Sequence, residues 1–144
     1  MNHFLQRARE LREETLRHRR FLHQHAEIKD DLPITAGYVR EQLQLAGIAS
    51  QEICKSGIVA LIGGKKPGKT VLLRADMDAL DIREESGLPF TSVTPYGHCC
   101  GHDMHTAMLL TAAKLLKERE EDLNGTVKLM FQPGEEYFIG AKAM

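Results

Sequence analysis

The chain has 144 residues, the size of one ordinary domain, with 42% hydrophobic and 27% charged residues. Nineteen Lys and Arg stand against twenty Asp and Glu, a net charge of -1, with a mean hydropathy of -0.31. That balance excludes a basic nucleic-acid binder and an acidic disordered chain. The longest apolar runs, Ile58–Ile62 and Ala107–Ala113, are too short to span a bilayer, and the first twenty residues contain no apolar signal core. The three cysteines include the adjacent pair Cys99 and Cys100, so a disulfide framework is not expected and a reducing cytoplasm is.

Phe4, Ala8, Leu11, Thr15, His18 and Leu22 recur at spacings of four and three, which predicts an amphipathic helix over residues 2–22. Six arginines fall between Arg7 and Arg20, interleaved with Glu10, Glu13 and Glu14 as on a solvated face. A second helix is expected after Pro33, with Ala36, Val39, Leu43 and Ala46 on one side and Gly47 as its stop. The period then changes: Ile58–Ile62 and Thr70–Leu73 read as strands. A polar stretch from Arg83 to Gly101 reads as a long loop of the kind that often carries function. A third helix is predicted over 104–119 with Met108, Ala112 and Leu115 inward, then a strand over Thr126–Phe131 and a helical start after Glu135-Glu136. This order predicts an α/β layered domain.

Gly63-Gly64-Lys65-Lys66-Pro67-Gly68-Lys69-Thr70 fits the phosphate-loop expression G-x-x-x-x-G-K-[ST]. A true phosphate loop is followed by a helix, whereas Val71-Leu72-Leu73-Arg74 is β-patterned, and Pro67 removes one amide from the cradle. The preferred reading is a lysine-rich turn joining the two strands of a hairpin; nucleotide binding is the rival.

The chemistry concentrates in His98-Cys99-Cys100-Gly101-His102-Asp103-Met104-His105. A thiolate and an imidazole two residues apart can face one cation if the backbone bends between them, and Gly101 permits that bend. The helix start just beyond is expected to help keep Cys100 deprotonated. Cys99 reads as a small buried side chain, and His98 as a capping or packing group. Cys100 as a nucleophile with His102 as its base fits less well, because so close a spacing suits shared ligation better.

Glu135 and Glu136 follow a strand and a Pro-Gly turn, at the strand end where open α/β sheets build sites. One carboxylate can bind a metal while the other takes a proton from water, the division that metal-assisted hydrolysis requires. By themselves they could equally be the acidic first turn of a helix. Asp76 and Asp78 follow a strand as well, and either orient ligand imidazoles or cap a turn.

Together these motifs resemble a family. Arg-Ala-Asp-Met-Asp-Ala-Leu at 74–80, Cys-Gly-His-Asp-Met-His-Thr-Ala at 100–107 and Phe-Gln-Pro-Gly-Glu-Glu at 131–136, followed by Gly140-Ala141-Lys142, are similar to the peptidase M20 amidohydrolases. The nearest branch contains hippurate hydrolases, N-acyl-amino-acid amidohydrolases, N-acetyl-diaminopimelate deacetylases and auxin-conjugate hydrolases. Arg19-Arg20-Phe21-Leu22-His23-Gln24-His25 and Glu84-Glu85-Ser86-Gly87-Leu88-Pro89-Phe90 also resemble that branch.

The resemblance implies a zinc-peptidase-like layered α/β/α catalytic domain that carries divalent metals, manganese, zinc, nickel or cobalt. It implies hydrolysis of the amide bond of small N-acyl amino acids, with no nucleic-acid or membrane partner. By position Cys100, His102 and Glu136 match metal ligands and Glu135 matches the general base, while Asp76 and Asp103 fall close to the metals. Cys99 and Gly134 stand where alanine is commoner, and Ala26 where proline is. His3, His18, His23 and His25 match no metal role and read as surface or packing residues.

Members of the family are longer, with an inserted lid domain and further histidine ligands in the part absent here. Residues 1–144 are therefore expected to be the N-terminal portion of such a catalytic domain, cut short inside a helix at Met144. Exposed sheet edges would then favour self-association. An inactive fragment that at most binds a metal is the rival function.

Overall fold

The computed structural model describes residues 3–144. Helices α1 (His3–Glu10) and α2 (Arg12–Gln24) form an almost continuous rod, with the Leu11 and Thr15 amides donating to Arg7 O and Leu11 O across the junction. This is the first predicted helix; its expected start at residue 2 lies outside the described residues. Helix α3 (Pro33–Leu45) has proline in its first turn, where the missing N–H costs nothing. Glu27 accepts from the Ile34 and Thr35 amides at 3.1 and 2.8 Å, satisfying two donors that a helix start leaves open. Gly47 adopts φ +72° after the helix, and the Ile48 amide returns to Leu43 O.

Four strands follow: β1 (Ser50–Ile53), β2 (Gly57–Gly63), β3 (Thr70–Asp76) and, after α4 (His102–Glu118) and a short 3-10 turn at Glu120–Asp122, β4 (Thr126–Gln132). They form one sheet in the order β1-β2-β4-β3. β4 runs antiparallel to β2 and parallel to β3, with Ile58 opposite Phe131 and Phe131 opposite Ala75. The expected β2–β3 hairpin is therefore wrong. β4 lies between them, and the lysine-rich segment crosses its start, where Gly64 N–H donates to Gly125 O and Thr126 N–H donates to Lys69 O. Because β3 follows directly, the segment lacks the helix a phosphate loop needs, and Lys65 pairs with Glu121.

Ile58, Ala60, Ile62, Leu129 and Phe131 alternate onto one sheet face and pack against Val39 and Leu43 of α3 and Leu109, Leu110 and Ala113 of α4. The α/β class expected from the sequence is the class observed. The inward face of α4 is shifted from the predicted one: Met108 is 52% exposed, whereas Leu109, Leu110 and Ala113 are buried. Among the described residues no helix is long and apolar enough to cross a membrane.

Candidate metal centre

The parallel pair β3–β4 directs both carboxyl ends to one place. Beyond them the ladder continues with Met77 N–H donating to Gln132 O at 2.9 Å, so residues 76–78 and 132–136 stay side by side. The N-terminus of α4 arrives at the same spot: Thr106 Oγ1 donates to Asp76 O at 2.8 Å. Gly101, at φ +90°, makes the bend that lets Cys100 and His102 face one point.

His102 is buried, and its Nδ1 donates to the backbone oxygen of Asp78 at 2.8 Å. That bond leaves Nε2 as the ligand atom. Around Nε2 stand Glu136 Oε1 at 3.6 Å, Glu135 Oε2 at 3.7 Å and Asp76 Oδ2 at 3.7 Å. Ligand atoms of Cys100, His102 and Glu136 all lie within 4.8 Å of one another. Asp76, His102 and His105 form a second such group, sharing His102. Glu136 Oε1 is buried and has no hydrogen-bond partner, an expensive arrangement that a cation would relieve. A thiol, an imidazole and a carboxylate form a donor set suited to zinc and similar divalent ions, so the residues present fit such a metal.

The local charge is strongly negative, and this decides the protonation tendencies. The adjoining Glu136 carboxylate, with burial and the other nearby carboxylates, pushes the Cys100 thiol up. The expected deprotonation by the helix terminus is thus outweighed by these neighbours; a bound cation would reverse the balance. Burial alone would lower His102, but Asp78 and the charge of Asp76 outweigh it and hold it above the ordinary imidazole value. Asp76 resists the upward pull of its own burial because His105, His102 and Arg74 favour its charged form, and it lies below the usual carboxylate range.

Asp78 performs both tasks that its position suggested. Its side chain is fully buried; Oδ1 accepts from the Glu135 amide at 2.9 Å and Oδ2 from the Glu136 amide at 3.1 Å. One residue thereby caps the turn that presents both glutamates and holds the His102 ring by its backbone oxygen. Gly134 adopts φ +63° ahead of them, a conformation that a residue with a side chain would occupy only with strain. Gly140 packs so tightly on Pro133 that a Cβ would fall 1.5 Å from the carbonyl oxygen.

Asp76 sits at the cluster, with Oδ2 accepting from Arg74 at 2.6 Å and Oδ1 from His105 at 2.7 Å. Asp103 points elsewhere: its Oδ2 accepts from His23 Nδ1 at 2.8 Å and Arg19 Nε at 3.2 Å, on α2. His23, expected to be a surface or packing residue, is buried, and it is hydrogen-bonded to Asp103 as well. His18 bonds Tyr38 Oη, and His25 Nδ1 donates to Phe21 O. Cys99, expected buried, is exposed, and no described cysteine forms a disulfide. His98 is buried with neither ring nitrogen partnered, and burial pushes it down to about 4. His105 was not singled out, although its i,i+3 spacing from His102 on a helix was a usable signal.

A family model described as "Peptidase family M20/M25/M40" matches residues 72–144, the half of the chain that contains the whole cluster. The chain belongs to peptidase family M20. The M20 chain is 44% identical over 125 residues to N-acetyl-L-cysteine deacetylase of Bacillus subtilis, covering 85% of this chain and 30% of that protein. It is 41% identical over 133 residues to N-acyl-L-amino acid amidohydrolase of Geobacillus stearothermophilus, covering 91% and 36% respectively. A crystal structure of a dinuclear metal-binding M20 peptidase from Bacillus subtilis superposes with a TM-score of 0.89 at 37% identity, over 94% of this chain and 39% of that one. The M20 chain thus spans about a third of the length of the curated relatives it matches.

Proposed function

We propose that this M20 chain is the N-terminal part of a catalytic domain for metal-dependent hydrolysis of the amide bond of N-acyl amino acids. The observation that carries the reading is the meeting of ligand atoms of Cys100, His102 and Glu136 within 4.8 Å of one another, beside a Glu136 Oε1 that is buried and unpartnered. In this reading Cys100, His102 and Glu136 hold a divalent cation, with manganese or zinc foremost and nickel or cobalt as alternatives. When bound, the cation polarises the scissile carbonyl and lowers the pKa of water. Glu135 is the general base. Its side chain is 35% exposed against 18% for Glu136, as befits a group that must meet water and substrate.

Glu135 takes a proton from the attacking water and delivers it to the leaving nitrogen; the C–N bond breaks as the new C–O bond completes, giving a carboxylic acid and a free amino acid. Asp78 keeps the Glu135 and Glu136 amides fixed during this exchange, and Asp76 stands beside His102 with its charge balanced by Arg74 and His105. We further propose the cytoplasm, where three unpaired cysteines stay reduced.

The names of the two curated relatives support this substrate class. The test is release of free amino acid from N-acetylcysteine and hippurate by the manganese- or zinc-loaded chain. Turnover that Glu135→Gln abolishes supports the reading. Metal uptake without turnover in these 144 residues would favour the inactive-fragment reading, and turnover untouched by Glu135→Gln would remove Glu135 as the base.

A further inference from the structure

We propose that His23 is a positioning residue for the candidate metal centre, fixing the first turn of α4 through Asp103 and thereby aiming His102. The inference rests on the reading of Cys100, His102 and Glu136 as a metal site. It concerns a residue of α2 that lies outside the cluster and would touch neither metal nor substrate.

Helix α4 begins without any side-chain cap: the Met104 and His105 amides donate to Gly101 O at 3.0 and 3.3 Å, and beyond these the His105 and Thr106 side chains tie the helix start to Asp76. The two amide bonds are ordinary backbone bonds at a helix end, where fraying begins. His102 sits in this first turn and must keep Nε2 directed at Cys100 and Glu136. Asp78 restrains the ring from one side. Asp103, the next residue, restrains the backbone from the other, because its side chain is 1% exposed and anchored to α2 by His23 and Arg19.

His23 is the shorter of those two bonds and the more buried partner, with its side chain 9% exposed against 32% for Arg19. It is itself braced. Its Nε2 lies 3.1 Å from Glu84 Oε2, an ion-pair distance without hydrogen-bond geometry, and the same carboxylate oxygen accepts from the Ser92 amide at 2.7 Å. Ser86 Oγ donates to the other Glu84 oxygen. Phe90 meets the His23 ring edge-on at 5.5 Å, and Val93 N–H donates to Gln24 O at 2.9 Å. The loop between β3 and α4 therefore grips His23 from one side while His23 grips Asp103 on the other. Asp103 Oδ1 already lacks a partner, so losing His23 would leave a buried carboxylate with Arg19 alone. The turn carrying it would then shift toward water and take His102 along.

The two ring nitrogens can be tested separately. Asparagine places a donor near the level of Nδ1 and can still reach Asp103; glutamine places one near Nε2, toward Glu84. Cobalt binding to the parent chain, His23→Ala, His23→Asn and His23→Gln would be followed by calorimetry and by visible absorption, which reports ligand geometry. Hydrogen exchange of the Met104 and His105 amides would be measured in the metal-free proteins, with Leu129 in β4 as reference. His23→Ala should weaken cobalt binding by about tenfold or more, the scale for loss of a group that orients a ligand. It should also change the visible bands and speed exchange at Met104 and His105 but not at Leu129. His23→Asn should restore most of each, and His23→Gln should not.

Parent-like affinity, spectrum and exchange in His23→Ala would overturn the proposal. So would equal losses in Asn and Gln that merely follow a fall in Tm. If the parent chain takes up no cobalt, the metal reading fails by that result, while the exchange pattern still decides whether His23 fixes the turn.

Discussion

Asp78→Asn is the most informative single substitution outside the proposed ligands. The wild-type carboxylate receives two backbone N–H groups, from Glu135 at 2.9 Å and Glu136 at 3.1 Å, in a fully buried position. Asparagine has nearly the same shape but only one accepting oxygen. In either orientation its amide group must face one of the two N–H donors. One charge-assisted hydrogen bond is then lost, about 1.5–3 kcal/mol, and one buried donor is stranded at a further ~1–3 kcal/mol if the turn does not relax. With partial relaxation we expect a net loss of about 2–4 kcal/mol in urea unfolding of the metal-free chain. Metal affinity should also fall, by about 10–100-fold, because the turn bearing Glu136 and the backbone oxygen holding His102 are both disturbed. A stability change below about 0.5 kcal/mol, the size of an ordinary surface substitution, with unchanged metal affinity would refute this reasoning.

Phe131 is fully buried between β2 and β3, and Phe131→Ala should cost about 3–5 kcal/mol in urea unfolding; a loss under ~2 kcal/mol would mean the core is loosely packed. Glu84 is held down to about 2 against burial by the Ser86, Ser92 and His23 contacts, below its ordinary 4.5. Its stabilisation is therefore complete above pH 4.5 and is lost as pH falls from there toward 2. Thermal melts across that window should show a shallower acid loss in Glu84→Gln, and parallel curves would count against the assignment. ATP or GTP should give no thermal protection, because Thr70 opens a strand instead of a helix; a Tm rise that Lys69→Ala removes would contradict the fold-based exclusion.

Local periodicity carried much of the fold. The spacing of Phe4 through Leu22, the Pro33 start and Gly47 stop, and the β-branched runs of β2 and β3 each express a constraint internal to one element. Sheet order was not of that kind. β2 and β3 are neighbours in sequence, and only the later pairing of β4 with both separates them. β1 went unseen because Ser50-Gln51-Glu52-Ile53 is an edge strand with mostly solvated side chains and no apolar alternation. On α4 the buried set includes Thr106 and Ala107, small residues that weigh little in a hydrophobic pattern, so the pattern alone points inward through Met108.

The cluster was legible to the extent that its members share short motifs. Cys100, His102, Glu135 and Glu136 stand out by residue type and spacing, and the structure brings them to one point at the ends of β3 and β4. The supports did not stand out. His23 and Asp103 are eighty residues apart, and nothing in the local pattern around either tells a buried partner from a solvated surface group. Asp78 was ambiguous between ring orientation and turn capping because its side chain and its backbone oxygen serve different partners.

The central claim is that one cation belongs to Cys100, His102 and Glu136. It is tested most directly by elemental analysis of metal bound per chain after zinc or manganese loading and removal of excess. Parallel samples would carry Cys100→Ala and Glu136→Ala. Stoichiometric metal in the parent and its loss in both variants is the predicted result. An empty parent chain, or metal retained equally by both variants, would contradict it.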